Sequence, residues 1–152
     1  MKKIKIELNN LDNATNQFNN EVLDNELDNY ITNTSLHILP KEAILLNIYG
    51  ISKYQEQEQL IKLIHTHYEK KVKQLKQIDK YDDYFRMILL LLGIILIIIS
   101  EHLTSFLSEL FLIAGWVVVW EMVYDILFTG MKRKRSLNLY KKLATCKIEF
   151  LN

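Results

Sequence analysis

The chain has 152 residues, is 49% hydrophobic and carries a formal net charge of +1. Its single cysteine, Cys146, excludes an intrachain disulfide and fits a reducing compartment. These averages are those of an ordinary soluble domain, but nearly all the charge lies before Met87 or after Thr129, and the centre is apolar.

The start, Met1-Lys2-Lys3-Ile4-Lys5, is basic but lacks the apolar core and cleavage site of a signal peptide, so none is expected. Lys3 to Leu8 alternates strictly, with Ile4, Ile6 and Leu8 on one face, the period of a half-buried strand. The Asn-rich stretch from Asn9 to Asn20 is too polar to contribute much core. Within Phe18 to Thr34, the spacing Leu23, Leu27, Tyr30, Ile31 predicts an amphipathic helix, with Asn19 or Asn20 as its N-cap. Pro40 interrupts the chain. Ala43 to Tyr49, apolar on both faces, then predicts a strand in the middle of a sheet, ended by Gly50. Ser52, with Gln55 three residues on, predicts the cap of a long helix. Its stripe Ile61, Ile64, Tyr68, Val72, Leu75, Ile78 suits packing on the sheet better than coiled-coil pairing.

Met87 to Ile99 is an unbroken apolar run, and Tyr84, Phe85 and Ser100 extend it to about 17 residues, against the roughly 20 that a bilayer core of about 30 Å requires. A second apolar segment, Leu107 to Phe128, follows at once. A transmembrane hairpin is therefore expected over residues 84–128, with spans at about 84–100 and 107–128 and a short external loop at 101–106. The loop contains neither Lys nor Arg. Lys70, Lys71, Lys73, Lys76, Lys80 and Arg86 precede the first span, and Lys132, Arg133, Lys134 and Arg135 follow the second. Cytoplasmic flanks carry the Lys/Arg excess, so both termini should lie inside. The first span would serve as an uncleaved anchor.

Glu121 and Asp125 lie one helical turn apart within the second span, where an ionisable residue costs about 2.5–3.5 kcal/mol on insertion scales. A turn centred near Leu103–Thr104 sets Arg86 opposite Glu121 and Gly93 opposite Ala114, so an intramembrane ion pair and a close helix approach are expected there. Asp125, nearer the cytoplasm, would meet basic groups at headgroup level. Trp120 suits the inner aromatic belt, while Trp116 lies deeper and should contact another helix, within the hairpin or in an oligomer.

Lys132 to Thr145 reads as a basic helix, with Lys132, Arg133, Lys134 and Arg135 at the lipid headgroups. Ile148 and Phe150 alternate with Lys147 and Glu149, echoing the first strand. The last strand should flank the central one opposite the first. The whole is an α+β membrane protein, a two-helix hairpin inserted into a small cytoplasmic three-stranded α/β unit built from both termini. Its parts would be residues 1–83, 84–128 and 129–152. Such a unit is near the minimum for an independent core.

The segment Gly115-Trp116-Val117-Val118-Val119-Trp120-Glu121, with the basic helix and Lys-Ile-Glu-Phe ending after it, resembles an uncharacterised group of small bacterial two-helix membrane proteins. The resemblance covers chiefly the C-terminal third and implies no activity.

His65 and His67 stand two apart, a spacing that points their rings to opposite sides of a helix rather than at one metal. No Gly-rich phosphate loop or nucleophile motif occurs, so no catalytic, cofactor or metal residue is assigned and no enzyme is expected. The basic clusters abut the membrane and are read as topology determinants rather than nucleic-acid sites. The expected function is a non-enzymatic, membrane-anchored binding or regulatory module at the bacterial inner membrane. Its partners would be the bilayer, an unidentified protein and a second copy. The alternative is a membrane-perturbing effector, holin-like or a defence toxin, that oligomerises through its hairpin.

Overall fold

The computed structural model describes residues 2–38, 42–104 and 106–151; Pro40 lies outside them. The fold is α+β, with a small parallel sheet and long apolar helices. In chain order it has β1 (Lys2–Glu7), a 3-10 turn (Leu11–Ala14), β2 (Thr15–Asn16), β3 (Asn19–Leu23), α1 (Asn25–Leu36) and β4 (Ile44–Tyr49). There follow α2 (Tyr54–His102), α3 (Phe106–Tyr124), a π turn (Asp125–Thr129), α4 (Gly130–Leu143) and β5 (Lys147–Leu151). The chain divides into two compact units. One runs up to Lys73 and resumes at Leu137; the other is Gln74–Ser136.

In the first unit the sheet order is β1-β4-β5, with both pairings parallel. The apolar strand β4 is central, as its two-sided hydrophobicity requires. Ile4, Ile6, Ile44, Leu46 and Ile48 join one core with Leu27 and Ile31 of α1, Leu60, Ile64 and Tyr68 of α2, and Leu139 and Leu143 of α4. All three helices thus cover the same face. Two right-handed crossovers that step in one direction across a sheet give this arrangement. Lys3, Lys5 and Lys147 are exposed on the other face. Gly50 ends β4 at φ 93°, a left-handed turn where a Cβ would collide with the Leu8 carbonyl.

The Asn-rich stretch departs from expectation. It folds as the 3-10 turn and the antiparallel β2–β3 pair, and it buries Ala14 and Leu23 completely. Its asparagines act on the backbone. Asn10 Oδ1 accepts from Asn13 N–H at 3.1 Å, Asn16 Oδ1 from Phe18 at 2.9 Å and Asn19 Oδ1 from Glu21 at 2.9 Å. Consequently α1 starts later than its spacing suggested. Asp24, not Asn19 or Asn20, is the cap, accepting from Glu26 N–H at 2.8 Å and Leu27 N–H at 3.3 Å.

The first turn of α2 is held by the Gln57 amide, which donates to the Ile51 carbonyl at 2.8 Å, and by Lys53 paired with Glu56 at 2.9 Å. Ser52 and Gln55 make no capping box among the described contacts. Of the expected stripe, Ile64 and Tyr68 are fully buried, with Leu60 rather than Ile61 completing the face one turn earlier. Ile78 is 51% exposed, so the packing stripe ends before it.

In the second unit, α2 continues without a break from the charged stretch that ends at Arg86 into the apolar run. Among the described residues two helical stretches, Tyr54–His102 and Phe106–Leu143, are long and apolar enough to cross a membrane.

Candidate functional site

The hairpin of the second unit is organised by three facing pairs. On α2, Arg86, Gly93 and Ser100 are spaced by seven; on α3, Met122, Gly115 and Ser108 are likewise spaced by seven. Ser108 donates its hydroxyl to the Ser100 carbonyl at 2.7 Å. A Cβ on Gly115 would lie 2.9 Å from the Gly93 carbonyl oxygen. Arg86 and Met122 line one small cavity of about 310 Å³ with Leu90 and Ile126. Gly93, Ser100, Gly115 and Met122 are all buried.

This corrects the expected register by one residue. Gly115, not Ala114, meets Gly93, and Ala114 is exposed. One residue turns a helix by 100°, enough to carry a side chain off the contact face. The same offset places Met122 inside and leaves Glu121 exposed. The partner of Arg86 is therefore Asp125, with Asp83 on its own helix as a second acid. Asp125 opens the π turn, in which Gly130 N–H bonds back to the Asp125 carbonyl. A π turn holds one extra residue, so the faces after it are re-aimed.

Trp116 and Trp120 are 59% and 69% exposed, so neither packs inside the hairpin. Lys132, Lys134 and Arg135 are exposed. Arg133 is not; it turns inward to Asp82 and lies 3.7 Å from Asp79.

The first unit carries a polar cluster that sequence reasoning missed. Asp28 of α1 is buried on the same face as Leu27, Ile31 and Ser35. Lys71 of α2 ion-pairs with it, and His67 Nε2 lies 3.3 Å from its other oxygen. Burial alone would raise the Asp28 carboxyl; the hydrogen bonds and charges of His67 and Lys71 outweigh it and bring the pKa down to about 2. The Lys71 ammonium also sits 5.8 Å and 5.2 Å from the ring centres of Tyr68 and Tyr140, whose rings stack at 6.0 Å. Burial drives the Tyr68 phenol strongly upward, keeping it neutral. Lys71, read from the sequence as a topology determinant, is thus a packing residue. The available signal was Asp28 beside the apolar pair Leu27 and Ile31, with His67 and Lys71 one turn apart.

His65 faces the opposite way from His67, as an i, i+2 pair on a helix must. Its Nε2 donates to the Cys146 carbonyl at 3.1 Å. The Cys146 thiol is buried and pushed up to about 11 by that burial, so it is an unreactive core group. Among the described residues no three of His, Cys, Asp or Glu gather as metal ligands.

The first unit carries a hollow of about 550 Å³ between the Asn-rich hairpin and α2. Asp12 and Glu21 line it on one side, Lys62 and Lys70 on the other, over Leu11 and Leu63. Mixed charge over an apolar floor suits a polar or zwitterionic ligand, or a peptide segment. No family model, curated protein or solved structure matches this chain.

Proposed function

We propose that this protein is a membrane-anchored, non-enzymatic binding or regulatory module, held at the cytoplasmic face of the bacterial inner membrane by its hairpin. One observation carries the reading: the hairpin is inside out by the standards of a soluble protein. Leu91, Ile95, Ile98, Ile113 and Val117 are 50–62% exposed, while serine, glycine and an arginine–aspartate pair occupy the inner face. Exposed apolar patches of that extent have no soluble solution short of burial in lipid or in another protein. α3 alone has 19 residues, about 29 Å of helix, close to a hydrocarbon core of about 30 Å. The Lys/Arg excess flanking both ends keeps the termini inside. The sheet unit then presents the Asp12–Lys70 cleft to a partner.

The test is extraction of native membranes with alkaline carbonate. The chain stays in the pellet if the hairpin spans; release into the supernatant rules the reading out. Pull-down from those membranes, with wild type against Lys62→Glu/Lys70→Glu, identifies what the cleft holds.

A second reading, the membrane-perturbing effector, is favoured by Glu121. An exposed acid on the outward face of an apolar helix requires a partner at membrane depth, which further copies would supply. Leakage of a dye from vesicles carrying the protein supports it; tight vesicles at high protein loading remove it.

A further inference from the structure

The two edges of the sheet are not equivalent. Lys2 and Leu8 N–H donate to the Ala43 and Tyr49 carbonyls, so even-numbered residues of β1 turn their backbone groups to β4 and odd-numbered ones turn theirs outward. On that outer side the Tyr30 hydroxyl donates to the Lys5 carbonyl at 2.9 Å, and Lys3 and Lys5 flank it. The β1 edge is blocked by a side chain and by charge, the usual protection against edge pairing.

Among the described residues β5 has no such cover. The odd-numbered groups of β4 serve β1, leaving the even-numbered ones for β5. With Leu46 opposite Ile148, the residues that bond β4 are Lys147, Glu149 and Leu151. Ile148 and Phe150 therefore point their N–H and C=O groups outward. Both side chains are only partly buried against the core. The row stops at Cys146, whose carbonyl already accepts from His65.

We propose that β5 pairs antiparallel with β5 of a second copy across a two-fold axis, joining two sheets into one of six strands. Charge complementarity selects both the partner and the register. Lys147 and Glu149 share the helix-free face and already pair at 2.6 Å within one chain. A two-fold centred on Ile148 sets each Lys147 opposite the other copy's Glu149, closing a square of alternating charge. In that register the two Ile148 residues exchange both backbone bonds. Centring the axis on Glu149 would oppose two like charges, which destabilises a sheet. Anchoring both copies in one plane raises their local concentration and favours the pairing. The contact itself rests on the sheet alone, and its failure leaves the hairpin reading, tested by extraction, untouched.

Dimer formation is measured on the full chain in phosphatidylcholine vesicles by counting fluorophores per spot across a range of protein-to-lipid ratios. Wild type forms dimers. Lys147→Glu alone and Glu149→Lys alone each weaken dimerisation about tenfold, because each puts like charges across the axis. Mixing the two variants restores wild-type pairing as a heterodimer, which loss of the pair within one chain cannot explain. A wild type that stays monomeric at every ratio, single variants that pair as well as wild type, or a mixture that fails to recover would each overturn the proposal. A Lys147→Cys copy and a Glu149→Cys copy, both in a Cys146→Ser background, should also cross-link to one another; cross-linking of Glu149→Cys copies alone would reject the register.

Discussion

Gly93 and Gly115 face each other so closely that a Cβ on Gly115 would fall 2.6 Å from the Ile97 side chain and 2.9 Å from the Gly93 carbonyl. The backbone oxygen cannot step aside without moving the helix. Gly115→Val should therefore cost the hairpin roughly 1–3 kcal/mol by overpacking. Ala114→Val, one residue away on the exposed side, should be neutral. Thermal unfolding in detergent micelles compares the two, and equal effects would disprove the one-residue register.

Arg86 draws its partners from Asp125 and Asp83, not from Glu121. Asp125→Ala leaves Arg86 only the exposed Asp83 carboxylate in place of its more enclosed partner, so it should lower hairpin stability by roughly 1–2 kcal/mol. Glu121→Ala, which breaks no ion pair in the hairpin, should leave it unchanged or raise it. Protease resistance of the two variants in membranes reads the difference.

Asp28 binds its proton less readily folded than unfolded, with a folded pKa near 2 against an ordinary 3.8. A depressed carboxylate contributes stability that is complete above the unfolded pKa and is lost as pH falls through the folded one. The contribution is on the order of 2 kcal/mol, fading between about pH 4 and pH 2. Urea titrations of wild type and Asp28→Asn should differ most at pH 6 and converge towards pH 2. A constant gap across that range would mean that the contacts with His67 and Lys71 are not what depresses the carboxyl.

Cys146 is buried, with its thiol raised to about 11. Maleimide at pH 7.5 should label it slowly in the native protein and rapidly in denaturant, since the thiolate is the reacting form. Fast native labelling would mean that the region between α4 and β5 opens readily.

Much of the first unit is legible in its residues. The alternation of Ile4, Ile6 and Leu8, the two-sided apolarity of Ile44–Tyr49 and the echo in Ile148 and Phe150 define the three strands and their order. These patterns are local, and burial on one or both faces forces them. The Asn10, Asn16 and Asn19 turns were not legible, because polar composition does not reveal whether an amide bonds solvent or its own backbone. Nor was Asp28–Lys71, whose members lie 43 residues apart. In the hairpin, the heptad spacing of Arg86 and Gly93 was visible. The register against α3 was not, since apolar helices give no pattern to distinguish Ala114 from Gly115; only the close backbone fit decides it.

The central claim is that α2 and α3 cross the bilayer as a pair with both ends inside. Single cysteines at Thr104, Asn10 and Asn138, each in a Cys146→Ser background, can be exposed to a membrane-impermeant maleimide in intact cells. The account predicts labelling at Thr104 alone, with Asn10 and Asn138 reacting only after the membrane is permeabilised. Protection of Thr104, or labelling of Asn10 or Asn138 in intact cells, would contradict it.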